Sequence, residues 1–218
     1  MNGRIEPTVE SAPSDRRALR AIALGAAMAF AAGSIGIVTA AGLPVASVAL
    51  GGSGGDTVSV SLLALTGLAL AGAAAFSVVQ AFLFRSAFER LAFFDPRFAR
   101  PSTLALLAVF GILVTALGGV LIVGSFYEAT VCAGSASSIP PSCVPGGPLL
   151  IGLFVAAIGA ILAFVGYVGV ALGIWRAGGR YRSAMLRVGA VLMVVPFVAT
   201  VGAVVVWVGA RRRSAHLG

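Results

Sequence analysis

Apolar positions occur along this chain in long blocks. Residues 21–43, 58–84, 103–126, 149–175 and 188–210 carry no charged side chain. Each block exceeds the ~20 residues that carry a helix across about 30 Å of hydrocarbon. The pattern predicts an all-α membrane protein: a bundle of five transmembrane helices in one domain over residues 16–213. Residues 1–15 are polar, with Pro7 and Pro13, and predict a disordered arm; residues 214–218 form a short tail. Gly51, Gly52, Gly54 and Gly55 read as a turn, with Asp56 or Thr57 as helix cap, and Ser102 caps the third span.

Within the fourth block Gly152, Gly159, Gly166 and Gly173 recur every seven residues, with Gly169 on the same side. Seven residues bring a helix position back to within about 20°. Glycine costs roughly 1 kcal/mol against alanine in a helix interior. In a bilayer it leaves a bare groove for a second helix. The third block holds a matching series, Gly111, Gly118 and Ser125, widened by Ala108 and Thr115 and ended by Leu104. The two blocks are consecutive and antiparallel, so the expected arrangement is a tight, glycine-lined hairpin between spans three and four.

The fifth block has Pro196 at its centre. A single kinked helix is the favoured reading, since a proline is tolerated inside a membrane helix. The alternative is a short re-entrant hairpin, whose halves of about ten residues are each too short to span.

Charge gives the orientation. Arg4, Arg16, Arg17 and Arg20 precede the first span; Arg85, Arg90, Arg97 and Arg100 follow the second; Arg176, Arg180, Arg182 and Arg187 follow the fourth. The two opposite loops hold only Asp56 and Glu128 as charges. By the positive-inside rule the protein sits in the cell membrane with its N-terminus in the cytoplasm. Five full spans would place Arg211, Arg212 and Arg213 outside, against that bias. Asp15-Arg16-Arg17-Ala18-Leu19-Arg20 resembles a twin-arginine export signal, but the long run and the spans behind it favour an uncleaved first helix.

The net charge is +8, and all 15 Lys and Arg residues are arginine, a bias expected of a GC-rich genome. The arginines flank apolar spans, so they point to orientation and lipid headgroups rather than nucleic acid. No ionisable group lies well inside a span, and Gln80 is the only intramembrane amide. Glu89, Asp95 and Glu128 are isolated carboxylates, and the only histidine, His216, is in the tail. No nucleophile–base pair, metal cluster or cofactor motif is present, so no enzyme, metal or cofactor is expected. Between spans two and three, Phe88, Arg90, Phe94, Arg97 and Phe98 interleave aromatic and basic residues and are the candidate partner or lipid contacts.

Gly179-Arg180-Tyr181-Arg182-Ser183, Val188 to Leu192, Pro196-Phe197, Gly202 and Gly209 form a closing pattern of glycine, central proline and glycine. This segment of about 30 residues resembles the end of a family of uncharacterised archaeal multi-pass membrane proteins. The resemblance implies an archaeal source and transfers no functional residue. The expectation is a non-enzymatic integral membrane protein acting through helix packing and contacts with the bilayer, with other membrane proteins or with itself. A small oligomeric channel or transporter for a small solute is the alternative.

Cys132 and Cys143 lie in the loop expected outside, with ten residues between them and no histidine nearby. That makes a poor metal site and a plausible disulfide, worth roughly 2–3 kcal/mol through the unfolded state. Thiol labelling of the intact protein is expected to modify neither cysteine until reductant is added. Full labelling without reductant excludes the bridge.

Overall fold

The computed structural model describes residues 12–50, 55–134, 146–195 and 198–216, and the side chains of 13–39, 64–128, 146–195 and 198–216. The described chain is helical throughout: α1 (Ala12–Leu50), α2 (Gly55–Ala92), a 3-10 turn (Pro96–Phe98), α3 (Ala99–Gly134), α4 (Gly147–Arg180), α5 (Ala184–Val194) and α6 (Ala199–His216). Four of these helices are long and apolar enough to cross a membrane. An all-α membrane bundle is therefore what the chain builds.

Helix limits follow local chemistry. The Asp95 side chain accepts a hydrogen bond from the Arg97 amide at 3.0 Å, capping the 3-10 turn whose first residue is Pro96. Ser102 is not the cap expected from the sequence. It lies one turn inside α3, where its hydroxyl donates to the Ala99 carbonyl at 3.1 Å. Helix α1 starts at Ala12, so residues 12–15 belong to the helix rather than to a disordered arm. The expected Cys132–Cys143 bridge lies outside the described residues, as do the side chains of Asp56 and Thr57.

Each helix packs on its neighbour in sequence, and α6 packs back on α1, closing a ring. The α3–α4 contact is the most extensive. There the two backbones meet. A methyl group added at Gly111 would strike the Ala163 backbone; at Gly159, the Thr115 backbone; at Gly166, Ala108. At Gly118 it would lie 2.5 Å from the Ala156 nitrogen, and at Gly152 it would lie 3.1 Å from the Gly118 carbonyl oxygen. Lower on α4 the partners become side chains, Leu104 against Gly169 and Phe88 against Gly173.

The fifth apolar block departs from the single helix expected. Helices α5 and α6 lie antiparallel against each other. A methyl at Gly189 would sit 2.9 Å from the Val206 nitrogen, at Gly202 2.6 Å from the Met193 nitrogen, and at Gly209 3.1 Å from the Met185 Cβ. Pro196 and Phe197, which join them in sequence, lie outside the described residues. The physical reasons are two. Proline removes a helical hydrogen bond and clashes with the preceding turn, and the glycines on either side let the halves pair closely. Helix α5, with 11 residues, is about 16 Å long, half the hydrocarbon depth. Helices long and apolar enough for full spans therefore number four among the described residues, and the fifth block is a pair of shorter antiparallel helices, the hairpin rather than the single helix.

The hairpin also resolves the conflict over the tail. Arg213 Nη2 donates to the Arg182 carbonyl at 2.9 Å, so the tail returns to the end of the bundle that carries the other arginines. The main buried cluster sits at this same end. Leu19 and Ile22 of α1, Phe84, Phe88 and Leu91 of α2, Ile174 of α4, Leu186 of α5 and Val206 of α6 all belong to it.

Substituting Gly159 or Gly166 with leucine is expected to lower stability in detergent by at least about 1–3 kcal/mol through overpacking. Gly119→Leu, on α3 where an added carbon meets nothing within 4 Å, should leave the melting curve unchanged or improved. Equal loss in all three would show that the seam does not set helix spacing.

Candidate functional site

The arginine-bearing end is the chemically distinctive part of the molecule. The N-terminus of α1 and the C-terminus of α4 lie side by side there. Asp15 sits in the first turn of α1 and Arg180 in the last turn of α4. Each charge suits the helix dipole end it occupies. Arg180 Nη2 reaches both Asp15 carboxylate oxygens at 3.3 Å, and Asp15 is only 2% exposed. Tyr181 extends the cluster. The Arg180 guanidinium lies 6.0 Å from its ring centre, and its hydroxyl is buried close to the pair without a hydrogen bond of ordinary geometry. Burial first, and the Asp15 charge second, push that hydroxyl well above the usual tyrosine range, so it remains protonated.

Backbone carbonyls take up two further arginines. Arg176 donates to the Arg97 carbonyl, tying α4 to the α2–α3 connection. Arg213 donates to the Arg182 carbonyl, tying α6 to the α4–α5 turn. That turn is a Schellman closure: the Ser183 amide donates to Gly178 at 2.9 Å and the Arg182 amide to Gly179 at 3.3 Å. The left-handed position in such a closure is usually glycine. Here it is Arg182, with φ 50°. Ser183 then caps α5 by accepting from the Leu186 amide at 3.4 Å.

Two grooves flank the hairpin at this end. One runs between α4 and α5, with Trp175, Arg182, Ser183 and Arg187 in its wall. The other runs between α1 and α6, with Arg16, Arg20, Trp207, Arg211 and Ser214. In each, a guanidinium lies over the indole, Arg187 at 5.8 Å from the Trp175 centre and Arg211 at 5.3 Å from the Trp207 centre. Tryptophan and arginine together are the usual side chains of a headgroup interface.

The candidate contact residues read from the sequence divide here. Phe88 and Phe98 are not surface residues. They are 0% and 1% exposed, and Phe88 stacks between Phe84 at 6.2 Å and Phe98 at 6.3 Å. The α2 face carrying Phe84, Phe88 and Leu91 turns inward, with Phe84 beside Gly25 of α1 and the Phe88 ring in the room left by Gly173 of α4. Arg90 and Arg97 are exposed and Phe94 is half-buried. The residue missed is Phe93. It is 85% exposed and packs edge-on against Phe94 at 5.2 Å. Its neighbour in sequence resembled it too closely for spacing alone to separate inward from outward. Gln80 is buried at 3% exposure rather than displayed. No group of three or more metal-ligating side chains occurs among the described residues.

The family described as "protein of unknown function (DUF973)" matches residues 20–217. The chain belongs to that family. The DUF973 match covers α2 to α6, α1 from residue 20 onward and the groove between α4 and α5, while Asp15 of the ion pair and Arg16 of the other groove lie before it. Neither the curated proteins nor the solved structures contain a match to this DUF973 chain.

Replacing Asp15 with asparagine leaves Arg180 without its counter-charge. A loss of about 3 kcal/mol is expected, with strong coupling to Arg180→Gln in a double-mutant cycle. Additive single effects would mean that the pair is not an energetic unit. Arg182→Gly should raise stability by up to about 1 kcal/mol by relieving the left-handed arginine, read as a higher melting temperature of the purified protein.

Proposed function

We propose that this DUF973 protein is a non-enzymatic component of the cell membrane that works by contact at its arginine-bearing end, with that end in the cytoplasm. One observation carries the reading. The best-packed part of the bundle holds outward a small aromatic and basic surface: Phe93, Phe94, Arg90 and Arg97 on the α2–α3 connection. That connection is held from behind by the Arg176 bond and by the Phe84–Phe88–Phe98 stack. A rigid mount beneath exposed aromatics suits a surface that meets headgroups and a second membrane protein or another copy of the chain. The archaeal source implied by the family resemblance belongs to the same reading.

The intramembrane hydroxyls support contact over conduction. Thr39 donates to Ile35, Thr115 to Gly111 and Ser125 to Leu121, each at 2.8 Å within its own helix. Hydroxyls satisfied in this way do not offer a solute a polar path.

A photoreactive amino acid at Phe93 is expected to give one discrete protein adduct in intact cells, lost when Arg90 and Arg97 are both changed to glutamate. Vesicles containing the purified protein should retain trapped ions and small solutes as well as empty vesicles do. Protein-dependent leakage would replace this reading with the channel reading. The absence of any protein adduct would remove the partner.

A further inference from the structure

We propose that the groove between α1 and α6 is a binding site for the phosphate of an anionic phospholipid. The inference rests on the reading of the arginine-bearing end as a headgroup-level contact surface, and names what that surface binds beside the hairpin. Three arginines line the groove, Arg16 and Arg20 from α1 and Arg211 from α6. Among the described residues no acidic side chain lines it. The nearest carboxylate in sequence, Asp15, is already taken by Arg180. The Nε of Arg16 is buried with no hydrogen-bond partner. A buried donor left unmade is costly, and three guanidinium groups around one space repel one another unless an anion joins them. Phosphate suits the set, because planar guanidinium donors match its oxygens.

The other wall favours a lipid over a free anion. The two helices are antiparallel, with Gly33 facing Thr200 deep in the bundle and the arginines at the open end. Moving inward from the arginines, the groove becomes Ala23, Leu24 and Trp207. Leu24 is 54% exposed and Trp207 36%. Cationic at one end and apolar at the other, a groove of about 530 Å³ fits a headgroup phosphate with the start of its acyl chains. Trp207, under Arg211, marks the boundary between the two.

The test uses the full-length protein in detergent with dioleoylphosphatidylglycerol, dioleoylphosphatidylcholine and inorganic phosphate as probes, read by native mass spectrometry. Both Arg20 and Arg211 are exposed, so Arg20→Gln/Arg211→Gln should not disturb folding, which the melting curve verifies. Phosphatidylglycerol should be retained in preference to phosphatidylcholine, and the double variant should lose on the order of ten- to thirtyfold in that affinity. The control Arg85→Gln/Arg100→Gln, at two arginines that do not line the groove, should lose less than twofold. Phosphatidylglycerol with a bromine-labelled chain should quench Trp207 fluorescence in a Trp175→Phe background, and less so in the double variant. Equal retention of both lipids, or no effect of the double variant, overturns the proposal. Displacement of the lipid by inorganic phosphate at equal concentration also overturns it, in favour of a soluble anion. The Phe93 adduct is read separately: its persistence when lipid selectivity fails removes only this groove, and its loss when selectivity holds removes only the partner surface.

Discussion

Backbone contact between α3 and α4 is the constraint on which the remaining architecture depends. Lipid offers helices no hydrophobic reason to associate, because acyl chains are as apolar as leucine. What remains is dispersion, and it acts only at close range. The glycines at 111, 118, 152, 159 and 166 bring two long helices near enough to use it along most of their length. The same device recurs around the ring. Gly178 admits the Arg187 stem between α4 and α5, Gly189 and Gly202 join α5 to α6, and Gly33 receives Thr200 between α1 and α6. The ring closes because each junction is thin.

Polar closure at one end complements thin packing in the middle. Asp15 and Arg180 connect the first and fourth helices directly, while the hairpin fills the gap between them. The arginines at 176 and 213 spend their donors on carbonyls of neighbouring connections. These contacts lie at the end of the bundle where the largest buried side chains also gather. The outcome is a bundle whose charged end is firmly organised, and any activity through contact would begin from that firm surface.

Sequence patterns exposed some of this and concealed the rest for definite reasons. The seven-residue glycines are periodic, and period translates directly into a helix face. The hairpin was less legible, because an apolar block of 23 residues has the same hydropathy as one helix or as two halves. The signals that separate the two are Gly189, Gly202 and Gly209, which match between the two halves, and the arginine triplet whose charge favours the near side. Phe88 and Phe98 concealed their direction because an interfacial aromatic stripe and a core stripe share one spacing. Asp15 and Arg180 are 165 residues apart, and no local pattern relates them.

The half-depth hairpin makes the molecule unequal on its two sides. Four helices are long and apolar enough to pass through both leaflets, whereas α5, with 11 residues, reaches about half that depth before α6 runs back toward the arginines. Each helix excludes a cylinder of about 10 Å diameter. A chain seated with its hairpin in one monolayer would displace more lipid from that monolayer than from the other, as a wedge does. A flat bilayer must strain to accommodate that shape, and a bilayer bowed outward on the arginine side relaxes it. In that seating, position along a curved membrane would carry an energetic preference, set by where the last apolar stretch turns back.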